Sequence, residues 1–141
     1  MPVATLVSIV DDDESLRQSL PSLVEKFGFR VRTFKSAEEF LASDCLGQTA
    51  CLILDIAMPG MSGLDVAVHL KELERSRDIP IIFVTAFGND PAEIHRAYSA
   101  GGADYLVKPL DAEIVRKKVA VFVDLSRRQR RNADSRTGTR S

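Results

Sequence analysis

Short apolar runs rich in β-branched residues alternate with amphipathic helical patterns along most of the chain. This alternation predicts parallel strands with helices on both sheet faces, because a parallel pair needs a crossover connection. We therefore expect an α/β fold, a doubly wound five-stranded parallel sheet, for which the order 2-1-3-4-5 is one of two common arrangements. The predicted strands are Leu6–Val10, Arg30–Phe34, Cys51–Leu54, Ile81–Val84 and Tyr105–Val107.

Capping and breaking residues set the expected ends of the five helices. Pro21 falls inside the first helical pattern at a cost of roughly 3 kcal/mol, so we expect a kink or an early end there. Gly28 is expected to end that helix, and Gly101–Gly102 the fourth. The expected helix starts are an Asp13 cap, a capping box at Ser36–Glu39, a point near Leu64, the Asp90–Pro91 pair and Asp111.

Composition agrees with a globular protein of one domain. The chain has 141 residues, of which 45% are hydrophobic and 28% charged. No apolar run approaches the roughly 20 residues of a membrane span, and the N-terminus has no secretory pattern, so we expect a cytoplasmic location without membrane contact. Cys45 and Cys51 are expected to be reduced and structural.

Charge divides the chain at about residue 125. Residues 1–125 carry a net charge of −6, whereas residues 126–141 hold six arginines and Asp134, a net charge of +5. The second segment has almost no apolar residues, so we expect a disordered tail or part of a linker after a domain at 1–125. A nucleic-acid contact is the alternative, but the segment lacks aromatic residues for base stacking, and we expect no direct nucleic-acid binding.

Acidic, hydroxyl and basic residues stand at the carboxyl ends of four predicted strands. Asp11 and Asp12 follow the first strand, Asp55 the third, Thr85 the fourth and Lys108 the fifth. Ligands of doubly wound sheets bind at this edge, so these side chains are expected to converge. Clustered carboxylates need a compensating cation, and oxygen ligands without His or Cys favour Mg²⁺. A carboxylate beside Mg²⁺ and an ammonium group is also a plausible phosphoryl acceptor.

Four motifs resemble response-regulator receiver domains, which are chemotaxis-regulator-like, flavodoxin-like domains of two-component signalling. The motifs are SIVDDDES, LILDIAMPGMSGLD, IIFVTA and GADYLVKPL, in family order and at family spacing over about residues 5–125. The resemblance implies a bacterial phosphorelay protein that accepts a phosphoryl group from a histidine kinase or a phosphotransfer protein. It also implies a signalling surface formed by helix 4, strand 5 and helix 5, and a homodimer through that surface. The protein would be a phosphoacceptor switch and not a turnover enzyme.

The resemblance assigns roles to individual residues. Asp55 would be the phosphorylated residue, acting with Thr85 and Lys108. The residues expected to ligate Mg²⁺ are Asp11, Asp12, Asp55 and the carbonyl of Ala57. The switch pair would be Thr85 and Tyr105, and Ala86 and Phe87 would line the phosphoryl group. Pro59 and Gly63 would form the loop after the acceptor, with Gly63 permitting unusual backbone geometry. The Lys108–Pro109 bond would be cis.

Several positions have simpler interpretations or depart from the family pattern. Asp13 is expected to cap a helix and not to bind metal, and His69 and His95 to lie on helix surfaces. Tyr105 could also be a half-exposed strand aromatic without a switch role. Gly102 stands where the family usually has Ala and is expected to loosen the loop before strand 5. Neither Ala57 nor Phe87 can orient an attacking water, so we predict slow self-dephosphorylation.

Two other functions, and the output of the domain, are left open. A haloacid-dehalogenase-type phosphohydrolase would use Asp11 and Asp13 with Thr85 and Lys108, but would leave Asp55 unexplained. A degenerate receiver would bind partners without phosphorylation. The sequence is compatible with two kinds of output. A stand-alone receiver would act by protein contact, and the receiver of a longer regulator or hybrid kinase would act through a fused domain. Residues 117–131 also resemble receivers whose fifth helix continues into a signalling helix.

Overall fold

The computed structural model describes residues 5–58, 60–74, 76–86 and 90–139, and side chains as far as residue 128. Five strands form one parallel sheet of order β2-β1-β3-β4-β5, as predicted. The strands are β1 (Leu6–Val10), β2 (Arg30–Phe34), β3 (Thr49–Asp55), β4 (Ile81–Thr85) and β5 (Asp104–Val107). The helices are α1 (Glu14–Glu25), α2 (Ala37–Leu41), α3 (Gly63–Glu72), α4 (Pro91–Ser99) and α5 (Ala112–Thr139), with a short 3₁₀ turn at Leu46–Gln48.

The three central strands are buried on both faces, which explains their nearly continuous apolar sequences. One face packs against α2, α3 and α4 around Phe40, Leu70 and Phe83. The other packs against α1 and α5 around Leu20 and Val119. The outer strands β2 and β5 are partly exposed, as edge positions require. Because these strands are packed on both faces and shielded from water, the carboxyl ends of β1, β3 and β4 are held in fixed positions.

Side chains cap four of the helices at the positions that the sequence predicts, and at α5 the Asp111 Oδ1 accepts from the amides of Glu113 and Ile114. Asp13 accepts a hydrogen bond from the amide of Ser15 at 2.9 Å, and Ser36 accepts one from the amide of Glu39 at 3.2 Å. Asp90 accepts from the amide of Ala92 at 3.0 Å, just before Pro91 in the first turn of α4. These bonds satisfy amides that have no partner inside the helix.

Two expectations about helix geometry need correction. Helix α1 runs through Pro21 to Glu25, so the early end at Pro21 is wrong, while the alternative, a kink there, stays a prediction. Its buried residues Leu20 and Val24 hold the helix on the sheet on either side of the proline, and this packing offsets the backbone hydrogen bond that Pro21 cannot donate. Gly63 has no positive φ. A glycine is needed at position 63 because the backbone passes close to Asp55, and a Cβ there would lie 2.2 Å from the carbonyl oxygen of Asp55.

Helix α5 continues past residue 125 to Thr139, where a disordered tail was expected. Ser126 is buried, and the Arg127 Nε donates to the Thr5 hydroxyl oxygen at 3.0 Å. Arg128 pairs with Asp124 one turn earlier at 2.9 Å. No Pro or Gly interrupts 112–137, and Arg and Gln are good helix formers, so the helix propagates from its packed first half. The domain boundary at residue 125 stays a prediction.

Among the described residues, no helix combines the length and the apolar character that a membrane crossing needs.

Candidate functional site

Three carboxylates meet at the carboxyl edge of the sheet. Val10 and Leu54 are partners in the β1–β3 ladder, so Asp11 and Asp55 come next on adjacent strands. One carboxylate oxygen from each of Asp11, Asp12 and Asp55 lies within 4.8 Å of the others. Asp11 and Asp55 are 1% and 4% exposed, whereas Asp12 is exposed. The structure thus brings together the three side chains that were predicted to bind a metal.

The turn from β1 into α1 holds Asp11 through several hydrogen bonds. Its amide donates to the carbonyl of Phe34 at 3.1 Å, and its Oδ1 accepts from the amide of Asp13 at 2.8 Å. Its Oδ2 is buried and, among the described residues, has no hydrogen-bond partner. Asp13, two residues after Asp11, uses its side chain as the α1 cap, which confirms the prediction of a structural role.

Asp55 lies between a cation and a backbone amide. Its Oδ2 is 3.6 Å from the Nζ of Lys108, and its Oδ1 accepts from the amide of Ala57 at 3.3 Å. The amide of Lys108 donates to the carbonyl of Thr85 at 2.9 Å, which extends the β4–β5 ladder past Val107. The Lys108–Pro109 bond is cis, as predicted. The ends of β3, β4 and β5 therefore place one anion and one cation side by side.

Burial and mutual repulsion disfavour the charged forms of the two buried acids. Desolvation, followed by the negative charge of Asp11, raises the pKa of Asp55 to about 7, although Lys108 opposes the rise. Desolvation also raises the pKa of Asp11, against the lowering effect of the hydrogen bond from the Asp13 amide. Lys108 compensates only part of this cost, and a bound divalent cation would offset the rest.

The donor set fits a hard divalent cation such as Mg²⁺. All three groups are carboxylates, the type of ligand that Mg²⁺ prefers, and the exposed side of Asp12 leaves room for bound waters. The unpartnered Asp11 Oδ2 supplies a buried acceptor that such an ion would satisfy. The carbonyl of Ala57 as a further ligand stays a prediction.

The predicted switch residues lie on the two strands beyond β3, Thr85 on β4 and Tyr105 on β5. Thr85 is 3% exposed at the end of β4, and Ala86 follows it on the surface. Tyr105 is half-buried on β5, opposite Phe83 in the β4–β5 ladder, and packs against the core on the α4 side of the sheet. The expected phosphoryl-lining Phe87 and the loop residue Pro59 lie outside the described residues.

A polar and aromatic cluster joins α4, β5 and α5. Tyr98 and Tyr105 contact edge to face, with ring centroids 6.2 Å apart. The Nζ of Lys118 lies 4.9 Å from the Tyr105 ring centroid and donates to the Tyr105 carbonyl at 2.6 Å. It also pairs with Asp104 at 3.1 Å. A movement of Tyr105 would therefore change its contacts with both α4 and α5, the helices that flank β5.

Two cationic residues were not predicted from the sequence, one beside the acidic turn and one beside Tyr105. Arg17 donates from Nη1 to the Asp11 carbonyl at 2.8 Å, and Lys118 ties α5 to β5. A basic residue one turn into the helix after an acidic strand end is a signal that could have pointed to Arg17. No comparable pattern marks Lys118, because its partners are far along the chain. His69 and His95 are exposed on α3 and α4, as expected.

Comparison with known proteins agrees with this geometry. The family model described as the response regulator receiver domain matches residues 7–120. The response regulator protein TodT of Pseudomonas putida is 40% identical over 130 residues, which cover 92% of this chain and 56% of TodT. The transcriptional regulatory protein FixJ of Azorhizobium caulinodans is 35% identical over 138 residues, 97% of this chain and 64% of FixJ.

Solved structures show the same fold. The response regulator StyR superposes with a TM-score of 0.84 at 34% identity, covering 96% of this chain and 67% of the StyR chain. A putative response regulator from Chloroflexus aurantiacus superposes with a TM-score of 0.80 at 27% identity, covering 86% of this chain and 99% of the other. The chain spans less than two thirds of the length of TodT and FixJ. The family match takes in nearly all of the sheet and the whole acidic cluster, and the protein belongs to the response regulator receiver domains of two-component signalling.

Proposed function

We propose that Asp55 accepts a phosphoryl group from a histidine kinase or a phosphotransfer protein in a Mg²⁺-dependent step. The observation that carries the proposal is the meeting of three carboxylates with Lys108, whose Nζ is 3.6 Å from Asp55. Asp55 is the member of the cluster that contacts both the cation and a backbone amide, so its carboxylate is the best oriented nucleophile.

The chemistry requires the ionised form of Asp55. Its carboxylate oxygen attacks the phosphorus and a new P–O bond forms, while the P–N bond to the donor histidine breaks and its electron pair returns to the departing imidazole, leaving an aspartyl phosphate. Lys108 keeps its positive charge beside the transferred group and stabilises the negative charge on the phosphoryl oxygens. Mg²⁺, when bound by Asp11, Asp12 and Asp55, supplies positive charge that keeps the carboxylates ionised and offsets charge on the phosphoryl oxygens.

The donor must reach Asp55 from the open side of the cluster. A groove of about 510 Å³ lies between α1 and the turn at Lys108–Leu110. Its lining combines Leu16 and Leu23 with Ser15, Ser19 and Lys26. The groove borders the cation that contacts Asp55, so a helix of the donor protein lying in it would present its histidine to the acceptor.

Phosphorylation adds close to two negative charges to the pocket and offers strong acceptor oxygens. Thr85, at the neighbouring strand end, turns toward these oxygens, and Tyr105 moves into the space that it vacates. Because Tyr105 contacts Tyr98 and Lys118, the new position alters the surface formed by α4, β5 and α5. That surface signals to a partner, to a second copy or to a fused output domain.

The output is proposed from the relatives. TodT is named a response regulator protein and FixJ a transcriptional regulatory protein, and both are much longer than this chain. We assign this chain the receiving role in the bacterial cytoplasm and no direct contact with nucleic acid or membrane. The response passes through protein contact, within a longer regulator or with a separate partner.

Intact mass after incubation with acetyl phosphate and Mg²⁺ tests the proposal. The expected result is a gain of one phosphoryl group, about 80 Da, that is lost with EDTA and in Asp55→Asn. No gain, under conditions in which another receiver is modified, would favour a receiver that works without phosphorylation. A gain that survives Asp55→Asn and disappears in Asp11→Asn would favour the phosphohydrolase.

A further inference from the structure

Arg17 reaches from α1 back to the turn that carries two of the three acids. Its Nη1 donates to the carbonyl of Asp11 at 2.8 Å, and its side chain is half-buried. Its own amide donates to the Asp13 carbonyl at 3.1 Å within the first turn of α1. The residue thus links the rigid helix to the strand end, across the turn at Asp11–Asp13.

The carbonyl that Arg17 holds belongs to the peptide unit joining Asp11 to Asp12. A peptide unit is planar, so fixing its oxygen restricts the ψ angle of Asp11 and the φ angle of Asp12 together. The other contacts of Asp11 hold its amide, through Phe34, and its Oδ1, through the Asp13 amide. The Oδ2 of Asp11 is buried and has no hydrogen-bond partner in the part of the chain that the structure describes.

We propose that Arg17 is a positioning residue for the metal-binding turn, which orients the carboxylates of Asp11 and Asp12 toward a divalent cation through the peptide between them. The inference rests on the proposed function for the cation itself. It adds a residue that touches neither the metal nor the phosphoryl group.

A role of Arg17 through its charge and a role through positioning predict opposite changes in Mg²⁺ affinity when Arg17 is replaced. Arg17 carries a permanent positive charge beside an acidic pocket, so by charge alone it repels a metal ion, and its removal would tighten metal binding. If it positions the turn, its removal loosens both carboxylates and weakens binding, as loss of a partner that orients metal ligands typically does, by about tenfold or more. The sign of the change therefore distinguishes the two roles.

Calorimetric titration of the full unphosphorylated chain with Mg²⁺ at fixed pH and ionic strength is the test. Arg17→Met is expected to weaken Mg²⁺ binding by about tenfold. Lys35→Met is the matched control, because Lys35 is an exposed cation that follows β2 at the same sheet edge. Loss of that charge should leave Mg²⁺ binding unchanged or slightly tighter.

Phosphorylation from acetyl phosphate provides a second measurement. In Arg17→Met the Mg²⁺ concentration that gives half the maximal rate should rise by the same factor, while the rate at saturating Mg²⁺ is largely retained. A fall in the rate at saturating Mg²⁺, with no change in the half-saturating concentration, would overturn the proposal, because it would place Arg17 in the chemical step.

A folded Arg17→Met that binds Mg²⁺ as tightly as the wild type, or more tightly, would also overturn it. If Arg17→Met does not fold, Arg17→Lys decides, because it keeps the charge but not the planar fork of donors. Weaker binding in Arg17→Lys supports the proposal, and wild-type affinity contradicts it. If the wild type binds Mg²⁺ and these variants match it, only this inference fails. A wild type that binds no Mg²⁺ would remove the metal from the proposed function as well.

Discussion

The ring of Phe83 fills the space that a side chain at position 102 would need. A Cβ on Gly102 would lie 2.5 Å from Cε2 of Phe83 and 2.9 Å from the carbonyl oxygen of Ala97. The glycine that was expected to loosen the loop before β5 therefore permits close packing of that loop against β4. Its φ is not positive, so space, and not backbone conformation, requires a glycine here.

Gly102→Ala should lower the free energy of unfolding by about 1–3 kcal/mol, because the added methyl group overlaps the Phe83 ring. Phe83→Leu should relieve part of this overlap, although the contact with the Ala97 carbonyl remains. Chemical denaturation of the wild type, both single variants and the double variant measures the coupling between the two sites. We expect a coupling of at least about 1 kcal/mol, and additive effects would show that the two positions do not compete for space.

The stability of the metal-free protein should depend on the charge of Asp55. Its pKa is about 7 in the folded state against 3.8 for the unperturbed group, so the folded state holds its proton more tightly than the unfolded chain. The free energy of unfolding should therefore fall as the pH rises from about 4 to about 7, and the contribution of Asp55 should level off above that. Asp55→Asn should stabilise the metal-free protein at about pH 8, by on the order of 2 kcal/mol, and have little effect near pH 4.

Thermal unfolding in EDTA across this pH range measures that difference. Asp44→Asn is the control, since Asp44 is an exposed acid away from the cluster. Added Mg²⁺ should raise the melting temperature of the wild type more than that of Asp55→Asn. A difference between wild type and Asp55→Asn that is constant from about pH 4 to 8 would contradict the electrostatic account of the cluster.

Lys118 should contribute more to stability than its neighbour Lys117. Lys118→Met removes the contacts with Asp104 and with the Tyr105 carbonyl and ring, and should cost about 1–2 kcal/mol. Lys117 is exposed, and Lys117→Met should change the free energy of unfolding by less than about 0.5 kcal/mol. Urea denaturation of the two variants makes the comparison, and equal losses would show that Lys118 does not anchor α5.

The lifetime of the phosphorylated protein should depend on residue 87. Phe87→Glu supplies a carboxylate that can orient a water toward the aspartyl phosphate, and should shorten its half-life by about tenfold. Phe87→Leu keeps an apolar side chain and should leave the half-life nearly unchanged. Decay of the phosphoryl mass after removal of the donor gives both rates, and a half-life that does not shorten in Phe87→Glu would refute the prediction that residue 87 keeps self-dephosphorylation slow.

The sheet and the positions of the reactive groups were predictable because they follow from local patterns. Apolar runs identified the strands, and parallel strands place residues that follow them at one edge, so Asp11, Asp55 and Lys108 were expected to meet. The caps at Asp13 and Ser36 were equally local.

Contacts between distant segments could not be predicted in the same way. Phe83 and Gly102 are 19 positions apart, and only the packing of the loop against β4 shows why the glycine is needed. Lys118 reaches back 13 residues to Tyr105, and the course of α5 past residue 125 is supported by the contact of Arg127 with Thr5. Each of these depends on which surfaces meet after folding.

The length of α5 would let it act as a lever in the proposed switch. Residues 126–139 extend the helix by about 20 Å beyond the predicted domain boundary at residue 125. If α5 tilted by about 10° when Tyr105 changed position, its far end would be displaced by about 3–4 Å, more than any atom near the pivot. Because Arg127 contacts Thr5 at the start of β1, the lever leaves the domain at the end of the sheet opposite Asp55. A small rearrangement near Asp55 would thus produce a larger displacement at the opposite end of the molecule.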